Sequence, residues 1–177
     1  PLFCRIALVL GFFLCIFGVG QSEVSFTLPA ELLRSVESQY GDFAKRRLLA
    51  WQKLIRDDSS TSDIEKLENT NIFFNQMQFI DDITHWKTAD YWATPVEFLA
   101  TGGGDCEDFS LAKYFTLKAH GVPEGKLNIT YIKALQQNQA HMVVTYYATP
   151  DAVPLILDNL VTDILPATKR NDLLPVY

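Results

Sequence analysis

Basic residues are in the minority in this chain, which contains 15 Lys and Arg against 21 Asp and Glu in 177 residues. The formal net charge is −6 and the pI is near 5.0. Binding to phosphate groups is driven by clustered Lys and Arg. The basic run at residues 45–47 falls inside a helical pattern and is interpreted as a solvated face. The sequence therefore indicates no nucleic-acid partner.

Acidic residues are absent from the first twenty positions. Arg5 precedes an apolar run from Ile6 to Val19, and small residues come before the change of polarity at Gln21. This order is typical of a secretory signal, although the run approaches the roughly 20 residues that span a bilayer. We expect residues 1–20 to be a signal peptide or a membrane anchor. Residues 21–177 are then expected to form one domain outside the inner membrane, in the periplasm.

Cysteine is also scarce. Cys4 and Cys15 belong to the N-terminal segment, which leaves Cys106 alone in the expected domain and excludes a disulfide within it. A lone cysteine is most often a small buried hydrophobe. An unpaired thiol in an oxidising compartment needs a reason, however, and a nucleophile is the first candidate. The residues around Cys106 distinguish a buried hydrophobe from a nucleophile.

The first half of the expected domain has helical periodicity. Apolar residues recur at helical spacing over residues 29–57, and Gly41 interrupts them, which predicts two helices. Ser62 and Glu65 form a capping box that opens a third helix, predicted to extend through Ile80.

A short helix and a longer one follow. Thr94, Pro95 and Glu97 have the order of an N-cap, a first-turn proline and a reciprocal cap, and this helix is predicted to end at the glycines of residues 102–104. Residues 106–119 predict a central helix closed by a left-handed glycine. Its predicted buried face consists of Phe109, Ala112, Tyr114, Phe115 and Leu117.

The periodicity changes after the central helix. Residues 127–134, 141–147 and 155–158 are rich in Ile, Val, Leu, Thr and Tyr, and turn residues separate them. These stretches predict antiparallel strands. A helical N-terminal half followed by strands predicts an α+β domain in which one central helix packs on an antiparallel sheet.

Cys106 is expected at the first turn of the central helix, after a loop with no side chains to obstruct a substrate. The unpaired N–H groups and the dipole of a helix N-terminus stabilise a thiolate. Asp105, Glu107 and Asp108 oppose this effect, because negative neighbours raise the pKa of a thiol unless their charge is used elsewhere.

His141 begins an apolar strand and Asp158 ends another. A strand end that faces a helix N-terminus can bring an imidazole to a thiol, and an ionised side chain at the end of an apolar strand needs a partner. We therefore predict that Cys106 is a nucleophile, His141 its base and Asp158 the residue that orients the histidine.

Three residues compete for these roles. His120 is predicted at the far end of the central helix, roughly 20 Å from the thiol at about 1.5 Å per residue, which excludes it. Geometry does not exclude His85, and only the absence of a following strand and aspartate argues against it. Asp163 is the rival to Asp158 and is less attractive because it follows the strand instead of ending it.

Four motifs in this order resemble a known family over roughly residues 30–177. They are Trp92-x-Thr94-Pro95-x-Glu97, Gly-Asp-Cys-Glu-Asp at residues 104–108, His141-Met142-Val143 and Leu157-Asp158-Asn159. The family is the bacterial transglutaminase-like cysteine proteinases, and specifically the LapG-type periplasmic proteases. The resemblance implies a papain-like, transglutaminase-like fold and a single cysteine protease domain. It also implies a catalytic triad of Cys106, His141 and Asp158.

The resemblance further implies a calcium-dependent endopeptidase that cleaves the N-terminal region of a large surface adhesin and so controls biofilm attachment and release. Its inhibitor would be the periplasmic domain of a LapD-type cyclic-di-GMP receptor. Asp105 and Glu107 are implied as calcium ligands, with Asp108 as a third. A bound dication would also cancel the carboxylates that oppose thiolate formation.

Two other functions stay open at this point. The same chemistry would serve a transglutaminase-type acyl transferase, which crosslinks proteins instead of hydrolysing them. A non-catalytic, calcium-dependent binding module would keep the fold without the reaction.

Overall fold

The structure, a computed structural model, describes residues 26–57 and 61–175. The expected signal peptide or anchor at residues 1–20 lies outside these residues. Within the described residues, no helix is both long and apolar enough to cross a membrane.

The helices predicted in the first half of the chain are present. Gly41, with φ +86°, separates the first two helices, because a left-handed residue cannot continue an α-helix. Both predicted capping boxes form, at Ser62 with Glu65 and at Thr94 with Glu97. The α-helices of the described residues are α1 Ala30–Tyr40, α2 Asp42–Asp57, α3 Asp63–Phe74, α4 Asp82–His85, α5 Pro95–Thr101 and α6 Cys106–Ala119.

The third helix is shorter than predicted. It ends at Phe74, and the chain continues as strand β1, Gln78–Phe79, which pairs in parallel with strand β2, Gly103–Gly104. The extension through Ile80 was wrong because the backbone of this segment bonds to the glycine loop and not to itself. Ile80 N–H, for example, donates to Gly104 O at 2.9 Å.

A five-stranded antiparallel sheet forms the second half of the fold. Its strands are β3 Leu127–Ala134, β4 Gln139–Tyr146, β5 Leu155–Leu157, β6 Leu165–Pro166 and β7 Leu173–Pro175, in the order β6-β5-β4-β3-β7. The first three correspond to the predicted strands within two residues at each end. The two edge strands, β6 and β7, were not predicted, and each has only two or three residues.

Helix α6 joins the two halves of the fold. Its Phe109 and Ala112 belong to the core shared with the N-terminal helices, whereas its Leu117 packs against Val144 and Leu157 of the sheet. Phe115, which was predicted on the buried face, is exposed instead. The α+β prediction with a central helix on an antiparallel sheet is confirmed, and the N-terminus of that helix lies where the helices meet the sheet.

We predict that Gly103→Ala destabilises the protein by about 1–3 kcal/mol, the cost of forcing atoms into a closely packed position. An added Cβ would collide with the carbonyl oxygen of Gln78, which belongs to the paired backbone and cannot rotate away. Gly125→Ala is the control, since a Cβ there meets no atom within 4 Å and should change stability by no more than about 0.5 kcal/mol. Urea unfolding measures both, and equal stability of the two variants would contradict the prediction.

Candidate active site

Cys106 is the first residue of α6, as predicted. The loop before it is fixed by strand pairing, because Gln78 N–H donates to Gly102 O at 3.0 Å and ties the glycines to β1. The thiol is half-buried and lies against the backbone of Met142, the residue that follows His141 on β4. The fold therefore places the thiol beside the strand that carries the predicted base.

The predicted conflict between the thiol and its acidic neighbours is present. Cys106 Sγ donates a hydrogen bond to Glu107 Oε2 at 2.8 Å. Burial raises the pKa of the thiol, and the hydrogen bond and charge of Glu107 raise it further. The backbone contact with Met142 acts in the opposite direction and is the weaker influence. In this arrangement the thiol keeps its proton at neutral pH.

His141 and Asp158 are in direct contact, with His141 Nε2 and Asp158 Oδ1 2.7 Å apart. Both side chains are removed from water, since His141 is 2% exposed and Asp158 1%. A carboxylate at Nε2 fixes the orientation of the ring and leaves Nδ1 as the nitrogen for a thiol proton. This pairing is the one expected of a base and its orienting residue.

Asp158 has two further partners. Leu160 N–H donates to Oδ1 at 3.0 Å, and Arg170 Nη2 donates to Oδ2 at 2.6 Å. Burial works against ionisation, but the bonds from His141, Leu160 and Arg170 outweigh it and lower the pKa of Asp158 to about 2. The carboxylate is therefore ionised at neutral pH despite its burial.

The rival residues make other contacts. His120 is buried at the far end of α6, where its ring is 3.4 Å from Thr70 Oγ1. His85 packs edge-on against Trp86, with 4.5 Å between the ring centroids. The carboxylate that contacts His141 belongs to Asp158 and not to Asp163.

Beside the thiol, three carboxylates form a cluster in which oxygens of Asp82, Asp105 and Asp108 lie within 4.8 Å of one another. Asp82 is 5% exposed, and its Oδ1 and Asp105 Oδ1 are buried without a hydrogen-bond partner. Asp108 is fully buried and accepts from Ala93 N–H at 2.6 Å. Burial raises the pKa of Asp105 to about 8 and that of Asp108 to about 6, and neighbouring acids contribute to both shifts.

This cluster fits a hard divalent cation. Orphaned, buried carboxylate oxygens that converge on one point are the donors that Ca²⁺ takes. A second group, formed by Asp105, Cys106 and Glu107, also comes within 4.8 Å, but it includes a sulfur, which suits softer metals. Of the three predicted ligands, Asp105 and Asp108 therefore belong to the oxygen cluster. Glu107 faces the thiol instead.

Asp82 and Arg170 were not predicted from the sequence. Asp82 follows Asp81, the N-cap of α4, and that pair of adjacent acids was the available signal. Arg170 sits in a polar C-terminal stretch, and its partner precedes it by twelve residues. Nothing local distinguishes it from a surface arginine.

The chain belongs to the bacterial transglutaminase-like cysteine proteinases. The model of this family matches residues 44–172, which include the thiol, the His141–Asp158 pair and the carboxylate cluster. The fold is the transglutaminase-like one that the sequence motifs implied.

LapG of Legionella pneumophila has a similar structure. Its EGTA-treated form is 46% identical with a TM-score of 0.74, and the match covers 82% of this chain and 78% of LapG. Its calcium-bound form is 45% identical with the same TM-score, covering 85% and 83% respectively. No curated protein sequence matches this chain.

We predict that Glu107→Gln accelerates alkylation of Cys106 by iodoacetamide at pH 7 in the presence of a chelator. The Glu107 carboxylate raises the pKa of the thiol, so its removal lowers that pKa and increases the thiolate fraction, which is the reactive form. Mass spectrometry of the Cys106 peptide gives the rate. Glu68→Gln, which removes the same charge from α3, serves as the control and should leave the rate unchanged. An alkylation rate for Glu107→Gln at or below that of the wild type would contradict the claim that Glu107 raises the pKa of the thiol.

Proposed function

We propose that this protein is a calcium-dependent periplasmic cysteine endopeptidase that cleaves the N-terminal region of a large surface adhesin and controls biofilm attachment and release. Membership of the cysteine proteinase family supports the peptidase activity. The observation that carries the proposal is the contact of His141 Nε2 with Asp158 Oδ1. His141 belongs to β4, and the Cys106 thiol lies against the backbone of Met142 on the same strand.

In the proposed reaction, His141 Nδ1 accepts the thiol proton of Cys106 while Asp158 holds the ring through Nε2. The sulfur attacks the peptide carbonyl carbon, and the first-turn N–H groups of α6, which have no partner within the helix, stabilise the oxyanion. His141 then returns the proton to the departing amine, which leaves a thioester on Cys106. Water, deprotonated by His141, hydrolyses that thioester and regenerates the thiol.

Calcium is proposed to be held by Asp82, Asp105 and Asp108. When bound, the ion supplies positive charge next to the thiol and offsets the carboxylates that keep it protonated. The unpartnered oxygens of Asp82 and Asp105 support this assignment, as does the existence of a calcium-bound form of the similar LapG. Glu107 would complete the site if its side chain turned from the thiol to the ion.

The substrate and the inhibitor are proposed to be proteins that dock around the glycine loop. Three neighbouring segments carry exposed apolar side chains, namely Phe79 on β1, Ile83 on α4 and Trp92 before α5. Exposed aromatic and apolar groups around a catalytic loop favour contact with a polypeptide. The proposed inhibitor is the periplasmic domain of a LapD-type cyclic-di-GMP receptor, which would cover Cys106 and exclude the adhesin.

We predict that Cys106→Ala abolishes cleavage of an adhesin fragment, because it removes the nucleophile and leaves a cavity no larger than a sulfur atom. His141→Ala should be about as damaging, since members of one catalytic unit do not contribute additively, and Asp158→Asn should be milder. His85→Ala is the matched histidine control and should cleave normally. The products are analysed on gels and by mass spectrometry, which also separates hydrolysis from acyl transfer to an amine.

Cleavage by Cys106→Ala within a few-fold of the wild-type rate would refute the assignment. An active His141→Ala together with an inactive His85→Ala would identify His85 as the base instead.

We predict that Asp82→Asn weakens calcium binding at least about tenfold, because it replaces a charged ligand of a site with an expected dissociation constant of about 10⁻⁴–10⁻³ M. Asp105→Ala should have the same effect. Asp81→Asn removes the same charge from the neighbouring, exposed N-cap of α4 and is the control. Isothermal titration calorimetry measures the affinity without any substrate, and cleavage against free calcium follows the activity. Full cleavage in excess chelator would remove calcium from the mechanism.

A further inference from the structure

Arg170 is a buried partner of the proposed catalytic unit, and it takes no part in the reaction described above. Its Nη2 donates to Asp158 Oδ2 at 2.6 Å, on the side of the carboxylate opposite the oxygen that contacts His141. Arg170 is 3% exposed, so this bond is shielded from water. Both oxygens of Asp158 are therefore engaged.

The guanidinium is itself fixed by a second carboxylate. Arg170 Nε donates to Asp172 Oδ1 at 2.9 Å and Nη2 to Asp172 Oδ2 at 2.7 Å, which is a paired, fork-shaped contact. Asp172 is anchored through its backbone, because its carbonyl accepts Leu135 N–H at 2.8 Å. The geometry of Asp172 thus determines where the guanidinium points.

A buried, ionised carboxylate requires a partner that is charged at all times. A neutral imidazole at Oδ1 offers Asp158 a dipole but no charge, and in the proposed reaction His141 is neutral until it takes the thiol proton. Arginine is permanently charged. It can therefore keep Asp158 ionised and oriented before the proton moves, and also after the imidazolium has formed.

We propose that Arg170 is a positioning residue of the catalytic unit, whose guanidinium, held by Asp172, fixes the Asp158 carboxylate in the orientation that faces His141 Nε2. This inference rests on the proposed catalytic role of His141. The alternative is a purely structural ion pair that fastens the C-terminal segment to the end of β5. Breaking such a pair would lower the stability of the protein but leave kcat/KM of the folded protein unchanged.

Other charged groups near the His141–Asp158 pair also influence its protonation. Lys113 of α6 reaches Asp158 indirectly, since its Nζ donates to Asn75 Oδ1 at 2.7 Å and Asn75 Nδ2 donates to the carbonyl of Asp158 at 2.9 Å. Burial lowers the pKa of Lys113 to about 7, although the charge of Asp158 acts against this. Glu107 and Asp105 lie on the thiol side. All of these remain in place when Arg170 or Asp172 is changed.

The test compares Arg170→Gln and Asp172→Asn with the wild type. Loss of the cation raises the proton affinity of the His141–Asp158 pair, so in Arg170→Gln the imidazole of His141 should titrate at a higher pH. In Asp172→Asn the side-chain oxygen can still accept from Arg170 Nε, so the guanidinium keeps its place. Loss of the Asp172 charge leaves Arg170 less neutralised and should move that titration to a lower pH. NMR of labelled histidine follows this directly, because the chain has only three histidines and the spectrum of His141→Ala identifies the relevant signal.

Activity gives the second readout. Arg170→Gln should lose about 10- to 100-fold in kcat/KM, the same loss as when the hydrogen-bond partner of a metal-ligating histidine is removed. Its pH profile should move with the imidazole titration. Arg170→Lys, which keeps the charge, should keep the titration while losing part of kcat. Lys126→Gln is the control, because it breaks a partly exposed ion pair with Asp63 at the start of β3, away from the His141–Asp158 pair. It should change neither readout.

An unshifted His141 titration in Arg170→Gln, with kcat/KM within twofold of the wild type, would overturn the proposal. If Arg170→Gln does not fold, Asp172→Asn decides, and a titration that stays unchanged or moves upward would overturn the proposal equally. The titration requires no substrate. An inactive wild-type protein would therefore refute the proposed function and still leave the role of Arg170 measurable.

Discussion

The carboxylate of Asp158 is a charge that the fold buries almost completely, and three parts of the chain are arranged around it. His141 reaches it from β4, Leu160 from the turn after β5 and Arg170 from the C-terminal segment. Removing a carboxylate from water costs several kcal/mol unless its hydrogen bonds are replaced. The sheet, the turn and the C-terminal segment must therefore pack together around Asp158. The same packing fixes the ring of His141 in the orientation that a base requires.

The protonation of the Cys106 thiol depends on the acidic residues around it. Helix α6 holds Cys106 at its N-terminus and packs one half against the N-terminal helices and the other against the sheet, so the thiol lies at the junction of the two. The same junction gathers the carboxylates of Asp82, Asp105 and Asp108. Of these three acids, Asp105 raises the pKa of the thiol through its charge, and Glu107 acts in the same direction. A cation held in the cluster would offset that charge. The electrostatics at the nucleophile thus support the proposed calcium dependence, as does the existence of a calcium-bound form of the similar LapG.

Features set by interactions over three or four residues could be predicted from the sequence. The capping boxes at Ser62 and Thr94 formed as expected, and so did the helix that begins at Cys106. Features set by distant partners could not. Strand β1 pairs with glycines twenty-five positions away, which ended the third helix early. Asp82 and Arg170 have neighbours that only the folded chain provides. His141 and Asp158 were found because each stands at the end of an apolar strand, where a polar side chain needs an explanation.

In the proposed reaction, Cys106 is a nucleophile that forms a covalent intermediate under the control of His141 and Asp158. Acid quenching during cleavage of an adhesin fragment, followed by mass spectrometry of the intact protein, tests this most directly. We predict an adduct with the mass of the N-terminal product, attached to Cys106 as a thioester and released by hydroxylamine. The adduct should be missing in Cys106→Ala. Cleavage that proceeds with no adduct at any time point, or with an adduct on another residue, would contradict this mechanism.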